Sequence, residues 1–396
     1  MKNLGKLLLA LVAMSQVACT AEVAEKPFDP DAMLKISVEK VRATCMNYTD
    51  YDQFPRNIED GQKLWSTTNV KSWTSGFYPG VLWYAYEYSG DETIKAQAEK
   101  FTAPLSEIAY SPAEDHDIGF MVNDSYGLGY RLTGNPEYKE VVLAASETLV
   151  TLFDEKVGTI HSWPFNKQYP HNTIIDNMMN LEMLFWAAKN GGDKRLEDIA
   201  VRHAEVTQQY IIRPDSATYH VGCFDKESGE FLFGKTHQGY ADESMWARGQ
   251  AWGIYGFAVC YREVGREDFL LTSMRLANRF MERLPEDGVP YWDYDAPNIP
   301  NEAKDASASA IAASGMLELS LLVKDEALSK KYYDSAVELL KAISTDEYIS
   351  GETNDAILLH STGHHPKNSE IDVPIIYADY YYLEALLKLK KINESK

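Results

Sequence analysis

The chain has 396 residues, of which 45% are hydrophobic and 24% charged, and its formal net charge is −21 at pH 7. This excludes a chain disordered along most of its length, and the length fits two domains or one large closed architecture. The negative charge repels nucleic acid and anionic membrane surfaces at long range, so neither is an expected partner; an anionic sugar would need local basic or hydrogen-bonding groups inside a pocket.

Residues 1–19, MKNLGKLLLALVAMSQVAC, carry two lysines, an apolar run from Leu7 to Val12 and a small residue before Cys19. They read as a secretory signal, too short to span a membrane. The VAC arrangement resembles a lipoprotein box, but Gln16 sits where an aliphatic residue is usual. Lipidation of Cys19 and plain cleavage both stay open, and a lipidated Cys19 is the one membrane attachment expected. Cys45, Cys223 and Cys260 then remain, widely spaced and without a CxxC or a His neighbour, which predicts core thiols rather than a disulfide framework or a zinc site.

An amphipathic helix is expected from about Ala32 to Met46. After it, five times, an apolar helix-period segment rich in Gly, Ala and aromatics runs through a short polar turn into a more charged helical segment. The segments are VLWYAYEYSGDETIKAQAEKF, YGLGYRLTGNPEYKEVVLAASETL, LEMLFWAAKNGGDKRLEDIAVRHAE, GIYGFAVCYREVGREDFLLTSMRLANRF and GMLELSLLVKDEALSKKYYDSAVELL. Each first helix is apolar on nearly all sides and suits an inner wall; each second is amphipathic and suits an outer surface. A last apolar helix, IIYADYYYLEALLKL, has no partner after it and can pair with the helix at Ala32. The pattern predicts an all-α fold, an (α/α)6 barrel forming one domain from about Pro27 to Lys390. An open solenoid is the rival, but the hairpins begin at irregular intervals, unlike a fixed-length repeat.

The segments that precede the inner helices meet at one mouth of such a ring, and they concentrate Asp, His, Trp and Gly. They read WTSGFYPG at 73–80, DHDIGF at 115–120, IIDNMMN at 174–180, ADESMWARGQAWG at 241–253, DASASAIAASG at 305–315 and EIDVPIIYADYYY at 370–382. Asp117 and Asp176 each stand at the start of an apolar helix. A lone Asp there is expected to cap the helix. Two converging from neighbouring hairpins instead suit the carboxylate pair of a glycosidase, with separated pKa values. Trp73, Trp246, Trp252 and Trp292 suit stacking on the C–H faces of sugars, although each alone reads as a core residue. His116, His220 and His237 lack metal-site spacing and are expected to hydrogen-bond hydroxyls or a carboxylate. Arg248, inside MWARGQAW, needs an internal acid or a substrate carboxylate as partner, and the substrate is the favoured expectation.

The motifs WTSGFYPG, DHDIGF, IIDNMMN, HQGYADESMWARGQAWGIYG and KDASASAIAASGMLEL, in this order, resemble those of the unsaturated glucuronyl hydrolases of glycoside hydrolase family 88. The resemblance spans about residues 65–390. It implies an (α/α)6 barrel, without metal or cofactor, that hydrates the C4=C5 double bond of the terminal uronic acid on lyase-generated oligosaccharides. It implies Asp176 as proton donor and base, and Asp117 as the partner that orients hydroxyls and tunes Asp176. His220, Gln238 and Arg248 are implied as water, hydroxyl and carboxylate contacts, Trp73 and Trp252 as stacking surfaces, and His116 as a further contact. STGHHPK, Ser361 to Lys367, falls where the family contacts the leaving sugar, and Lys367 is the candidate to meet a sulfate. Signal and resemblance together suggest a periplasmic or outer-membrane-anchored protein of a Gram-negative bacterium. The nearest rival activity is that of the unsaturated rhamnogalacturonyl hydrolases, against which DHDIGF and RGQAW lean. A non-catalytic glycan-binding lipoprotein and a polysaccharide lyase on the same toroid complete the alternatives.

Overall fold

A computed structural model describes residues 28–395; the signal segment and Cys19 lie outside them. The first helix, α1 (Pro30–Thr44), starts where Asp29 accepts from the N–H groups of Asp31 and Ala32 and where Pro30 supplies a preset φ. It buries the stripe Leu34, Val38 and Val41. Two hairpins follow the same local logic. A glycine in the left-handed region, Gly90 or Gly134, ends the inner helix, and Asp91 or Asn135 immediately caps the outer one.

The chain proceeds through α2 (Phe77–Ser89) and α3 (Glu92–Thr102), the short α4 (Ser106–Tyr110), a π-helix (Gly119–Gly127) running into α5 (Leu128–Thr133), and α6 (Pro136–Val150). Next come α7 (Asn177–Lys189), α8 (Arg195–Tyr210), α9 (Ala247–Val264), α10 (Glu267–Glu282), α11 (Ala306–Leu322), α12 (Glu326–Ala342) and α13 (Ile376–Glu394). The inner wall runs α2, π-helix and α5, α7, α9, α11, α13 and back to α2, each packed on the next. Their partners α3, α6, α8, α10, α12 and α1 lie outside, and α1 packs on α13 with Lys390 Nζ 2.7 Å from Asp31 Oδ1. This is the (α/α)6 barrel expected from the hairpins. Inner helices such as α9 and α11 are buried over almost their whole length, whereas α10 buries one stripe, Phe269, Leu276 and Phe280.

Short strands in the connecting loops were not anticipated, because runs of two to five residues are too short to show alternation. They include β1 (Phe54–Asn57) paired with β2 (Ser66–Thr68), and β3 (Phe153–Asp154) paired with β4 (Thr159–Ile160). β5 (His171–Ile174), β6 (Val221–Phe224) and β7 (Phe231–Lys235) form a three-stranded antiparallel sheet. Cys45, Cys223 and Cys260 are free and buried, as core thiols. No helix among the described residues is long and apolar enough to cross a membrane.

The π-helix lies against the start of α2 so closely that only a glycine fits between them. A Cβ on Gly76 would stand 2.1 Å from the Phe120 carbonyl oxygen and 2.7 Å from Met121 Cα, both backbone atoms that cannot swing aside. Gly76→Ala is therefore expected to destabilise by at least the ~1–3 kcal/mol of an overpacked core and to lower the melting temperature by several degrees. Gly90→Ala, with φ +65 but no neighbour within 4 Å, should cost only the ~1 kcal/mol of left-handed strain; thermal melts of both variants check the contrast.

Candidate active site

The N-terminal ends of the inner helices converge on a cavity of about 340 Å³ whose walls include Trp73, Asp117, Asp176, Gln238, His364 and Tyr377. A second cavity of about 400 Å³ opens between the C-terminal ends of the same helices, lined by Tyr84, Glu182, Arg262 and Lys388. Its charges are largely spent on one another, as in Arg262 with Glu182 and Glu318. The chemistry gathers at the first.

Asp176 sits where strand β5 gives way to α7. The loop is pinned from the neighbouring strand, since the Ile175 N–H donates to the His220 carbonyl at 3.0 Å. Although Asp176 occupies the N-cap position, its side chain caps nothing, and its Oδ2 is buried without a hydrogen-bond partner. Burial raises its pKa to about 7, against the opposing pull of the Arg248 charge and of the Trp252 indole. Near neutral pH such a carboxyl is available as acid and as base.

Asp117 precedes the π-helix, an irregularity frequent at functional sites. It caps nothing either. Burial, with Asp115 and Asp176 nearby, pushes its pKa well above the usual carboxylate range. Two histidines face the two acids, and the hydrogen bonds around each ring fix its tautomer. Asn180 accepts from the Phe120 N–H through Oδ1, which turns its Nδ2 donor to His116 Nδ1 at 3.3 Å. The proton of His116 therefore sits on Nε2, 3.4 Å from Asp117 Oδ1. His220 Nδ1 accepts from the backbone N–H groups of His237 and Gln238, both at 3.1 Å, which puts its proton on Nε2, 3.7 Å from Asp176 Oδ2. Burial drives His116 down to about 3 and His220 well below its ordinary value, so both are neutral N–H donors.

Two sequence expectations need correction. Arg248 finds the internal acid, with Nη1 3.0 Å from Asp305 Oδ2, and it donates to the carbonyls of Thr362 and Gly363 at 2.6 and 2.7 Å. Its charge is balanced within the protein, so burial of the guanidinium does not call for a substrate carboxylate. Trp252 is fully buried against Phe120 and Tyr381 and offers no open face for stacking. Its indole N–H instead lies near enough to Asp176 to favour the carboxylate, without meeting full hydrogen-bond geometry. Trp246 and Trp292 are buried too; Trp246 lies under the Arg248 guanidinium and against His220, and Trp292 stacks on His365. Trp73 keeps a half-buried face on the cavity, with Tyr377 5.1 Å away. Gln238 lines the cavity and donates through Nε2 to the Gly363 carbonyl, and Lys367 stands exposed at the rim.

Sequence reasoning missed Arg56, Trp163, Phe165, His364, Glu370 and Tyr377, which all line the cavity. Arg56 is held by Glu370 at 2.6 Å, a pairing no local motif announces. His364 and Tyr377 lay inside quoted motifs, and their polarity within apolar or loop sequence was the available signal. Among the described residues no group of three or more His, Cys, Asp or Glu is placed to hold a metal ion.

The Asp176 carboxyl also makes stability depend on pH. Because its folded pKa of about 7 exceeds the unfolded value of about 3.9, the folded chain keeps a proton that the unfolded chain has lost between those values, and stability falls as pH rises through that window. Asp176→Asn removes this contribution. The melting temperature of the variant minus that of the parent is expected to grow from pH 4 to pH 7 and then level off; a constant difference across thermal melts would show that the carboxyl is not held protonated.

The family model described as Glycosyl Hydrolase Family 88 matches residues 41–389. An unsaturated glucuronyl hydrolase of Formosa agariphila is 38% identical, over 99% of each chain. An unsaturated chondroitin disaccharide hydrolase of Streptococcus pyogenes is 34% identical, over 90% of each chain. Among solved structures, that of an unsaturated glucuronyl hydrolase specific for heparin superposes with a TM-score of 0.88 at 40% identity, covering 92% of this chain and 98% of the other.

Proposed function

The chain belongs to glycoside hydrolase family 88, and from that premise we propose how its cavity removes an unsaturated uronic acid from the non-reducing end of a glycosaminoglycan-type oligosaccharide. It is a glycoside hydrolase, and relatives named for glucuronyl and chondroitin disaccharide substrates cover nearly its whole length. The observation that carries the mechanism is a single one: Asp176, buried, with a free oxygen and a pKa of about 7, near a second acid whose pKa burial pushes well above the usual carboxylate range.

The protonated Asp176 donates to C4 of the ring. The C4=C5 π electrons form the new C–H bond, and positive charge develops at C5, shared with the ring oxygen as in an oxocarbenium ion. Asp176, now a carboxylate, removes a proton from water as the water oxygen bonds to C5. The resulting hemiketal opens and releases the remaining saccharide, so one carboxyl serves in both directions. The His220 Nε2–H, 3.7 Å from Asp176 Oδ2 and without a hydrogen-bond partner of its own, is placed to steady that water. Asp117, with the His116 Nε2–H behind it, is placed to orient ring hydroxyls and to withhold negative charge from the vicinity of Asp176. Trp73 offers a face to the ring. Gln238, its amide nitrogen occupied by the Gly363 carbonyl, presents its amide oxygen to a hydroxyl. Arg248 acts through Asp305 and the Thr362 and Gly363 carbonyls as a positioning residue, and lends Asp176 a favourable field when it ionises. Export through residues 1–19, with or without a lipid on Cys19, belongs to the same proposal; it rests on the signal pattern alone.

Unsaturated disaccharides from chondroitin, hyaluronan and heparin digestion test the reaction through loss of their double-bond ultraviolet absorbance. The parent is expected to bleach at least one, and Asp176→Asn to be slower by about a hundredfold or more, the weight of a general acid–base group. Absence of turnover by the parent on all three would sink the proposed substrate class.

Lys367 extends the proposal to sulfated substrates. It stands exposed on the rim, and it and Arg56 are the lysine and arginine side chains of the lining, Arg56 being already paired. Lys367→Ala is expected to lower kcat/KM on a sulfated disaccharide by about tenfold, the worth of one charged hydrogen bond, and to leave the unsulfated one unchanged. Equal rates on both for variant and parent would remove the lysine from sulfate recognition.

A further inference from the structure

The catalytic floor of the cavity and its rim differ sharply in character. Asp117, Asp176 and Tyr377 are 8%, 7% and 1% exposed, whereas Phe165, which lines the same cavity, is 66% exposed. A single exposed apolar side chain needs no explanation by itself; what sets Phe165 apart is that it lines the cavity and is held in a defined turn. Phe165 occupies the third position of a turn closed by the Asn166 N–H donating to the Trp163 carbonyl at 3.0 Å, with Pro164 in the position where proline presets the turn.

Both sides of that turn are anchored. The Trp163 N–H donates to Asn172 Oδ1 at 3.0 Å, and Asn172 Nδ2 returns a bond to the Trp163 carbonyl. Beyond the tip, Asn166 accepts from the Gln168 N–H through Oδ1, and Tyr169 is buried with Ile174, Val221 and Cys223. Below the tip a row of rings continues the wall: Trp163 is 5.0 Å from His237, and His237 is 4.8 Å from His364. Phe165 is thus an aromatic plate held at the outer edge of an aromatic wall that leads down to the acids.

The cavity, about 340 Å³, lies at the small end of the roughly 300–1,000 Å³ range of ligand pockets. In the hydrolase reading the unsaturated ring sits on the buried floor beside Asp176 with the leaving sugar next to it, short of the exposed rim where Phe165 stands. Anything longer must leave over the rim. We propose that Phe165 forms a distal subsite, stacking on the sugar beyond the leaving residue and favouring tetrasaccharides and longer chains over disaccharides. The inference rests on the hydrolase reading above. An exposed ring stacked on C–H faces adds affinity without touching the reacting atoms, so its effect falls on KM rather than on kcat.

The test compares an unsaturated disaccharide with a tetrasaccharide of the same repeat. Phe165→Ala is expected to lower kcat/KM on the tetrasaccharide by about five- to tenfold through KM, the range for one aromatic contact, with the disaccharide unchanged. Phe165→Tyr should restore the tetrasaccharide value. Calorimetric titration in the Asp176→Asn background should show the same weakening of Kd for the longer substrate alone. If Phe165→Ala affects both substrates equally, or neither, in rates and in binding, the subsite is overturned while the hydrolase reading stands. If the parent turns over neither substrate, the reaction reading fails and the subsite fails with it.

Discussion

Much of the mouth of this barrel hangs on one buried charge. Arg248 is 1% exposed and Asp305 is not exposed at all, so neither can be left without the other. The guanidinium begins α9, the carboxylate begins α11, and the remaining bonds of the guanidinium reach across to the backbone of Thr362 and Gly363. A single planar group therefore ties two inner helices to the loop that forms the far wall. That loop is not relaxed on its own: His360, Asn368, Glu370 and Asp372 all have positive φ. Such backbone persists when its surroundings over-determine it. Arg248, the Arg56–Glu370 pair and the His360–Asp372 pair supply that determination.

The same arrangement explains how two acids share a small dry space. Both carboxyls resist ionisation because burial disfavours charge, yet Asp176 is kept within reach of neutrality by the Arg248 field while Asp117 is pushed further by its acidic neighbours. Two neutral imidazoles, each with its protonated nitrogen near one acid, stand beside the carboxyls without adding charge. An imidazolium in either place would favour the ionised form of the nearby carboxyl and so oppose the proton donation proposed for Asp176. The tautomers of His116 and His220 are set by an Asn amide and by two backbone N–H groups.

The ring could be read from the sequence because its signals are local. Apolar period, a glycine stop and an Asp or Asn start recur in turns such as SGDE and TGNPE, and each decides its own hairpin whatever the rest of the chain does. Asp117 and Asp176 were readable because their motifs stand before apolar helices. What could not be read depends on distant partners. Arg56 enters the cavity wall through Glu370, 314 residues later, and the choice of Asp305 over a ligand for Arg248 is a fact of the folded core. Trp252 and Trp73 look alike in sequence, each in a Gly- and aromatic-rich stretch. Phe120 packs against both rings, and the further packing of Tyr381 on Trp252 accompanies the complete burial of that ring, while Trp73 stays half-buried.

Closure of the ring bears on how the protein is made. The wall beside α2 is α13, near the end of the chain, and α1, which touches α2 early, packs most extensively on that same late helix. Early in synthesis α1 and α2 leave the ribosome with one flank bare. Tyr377 and the loop that Arg248 holds arrive last. Asp117 and Asp176 are thus present in the nascent chain before the environment that surrounds them, which is complete only when α13 has packed against α1 and α2.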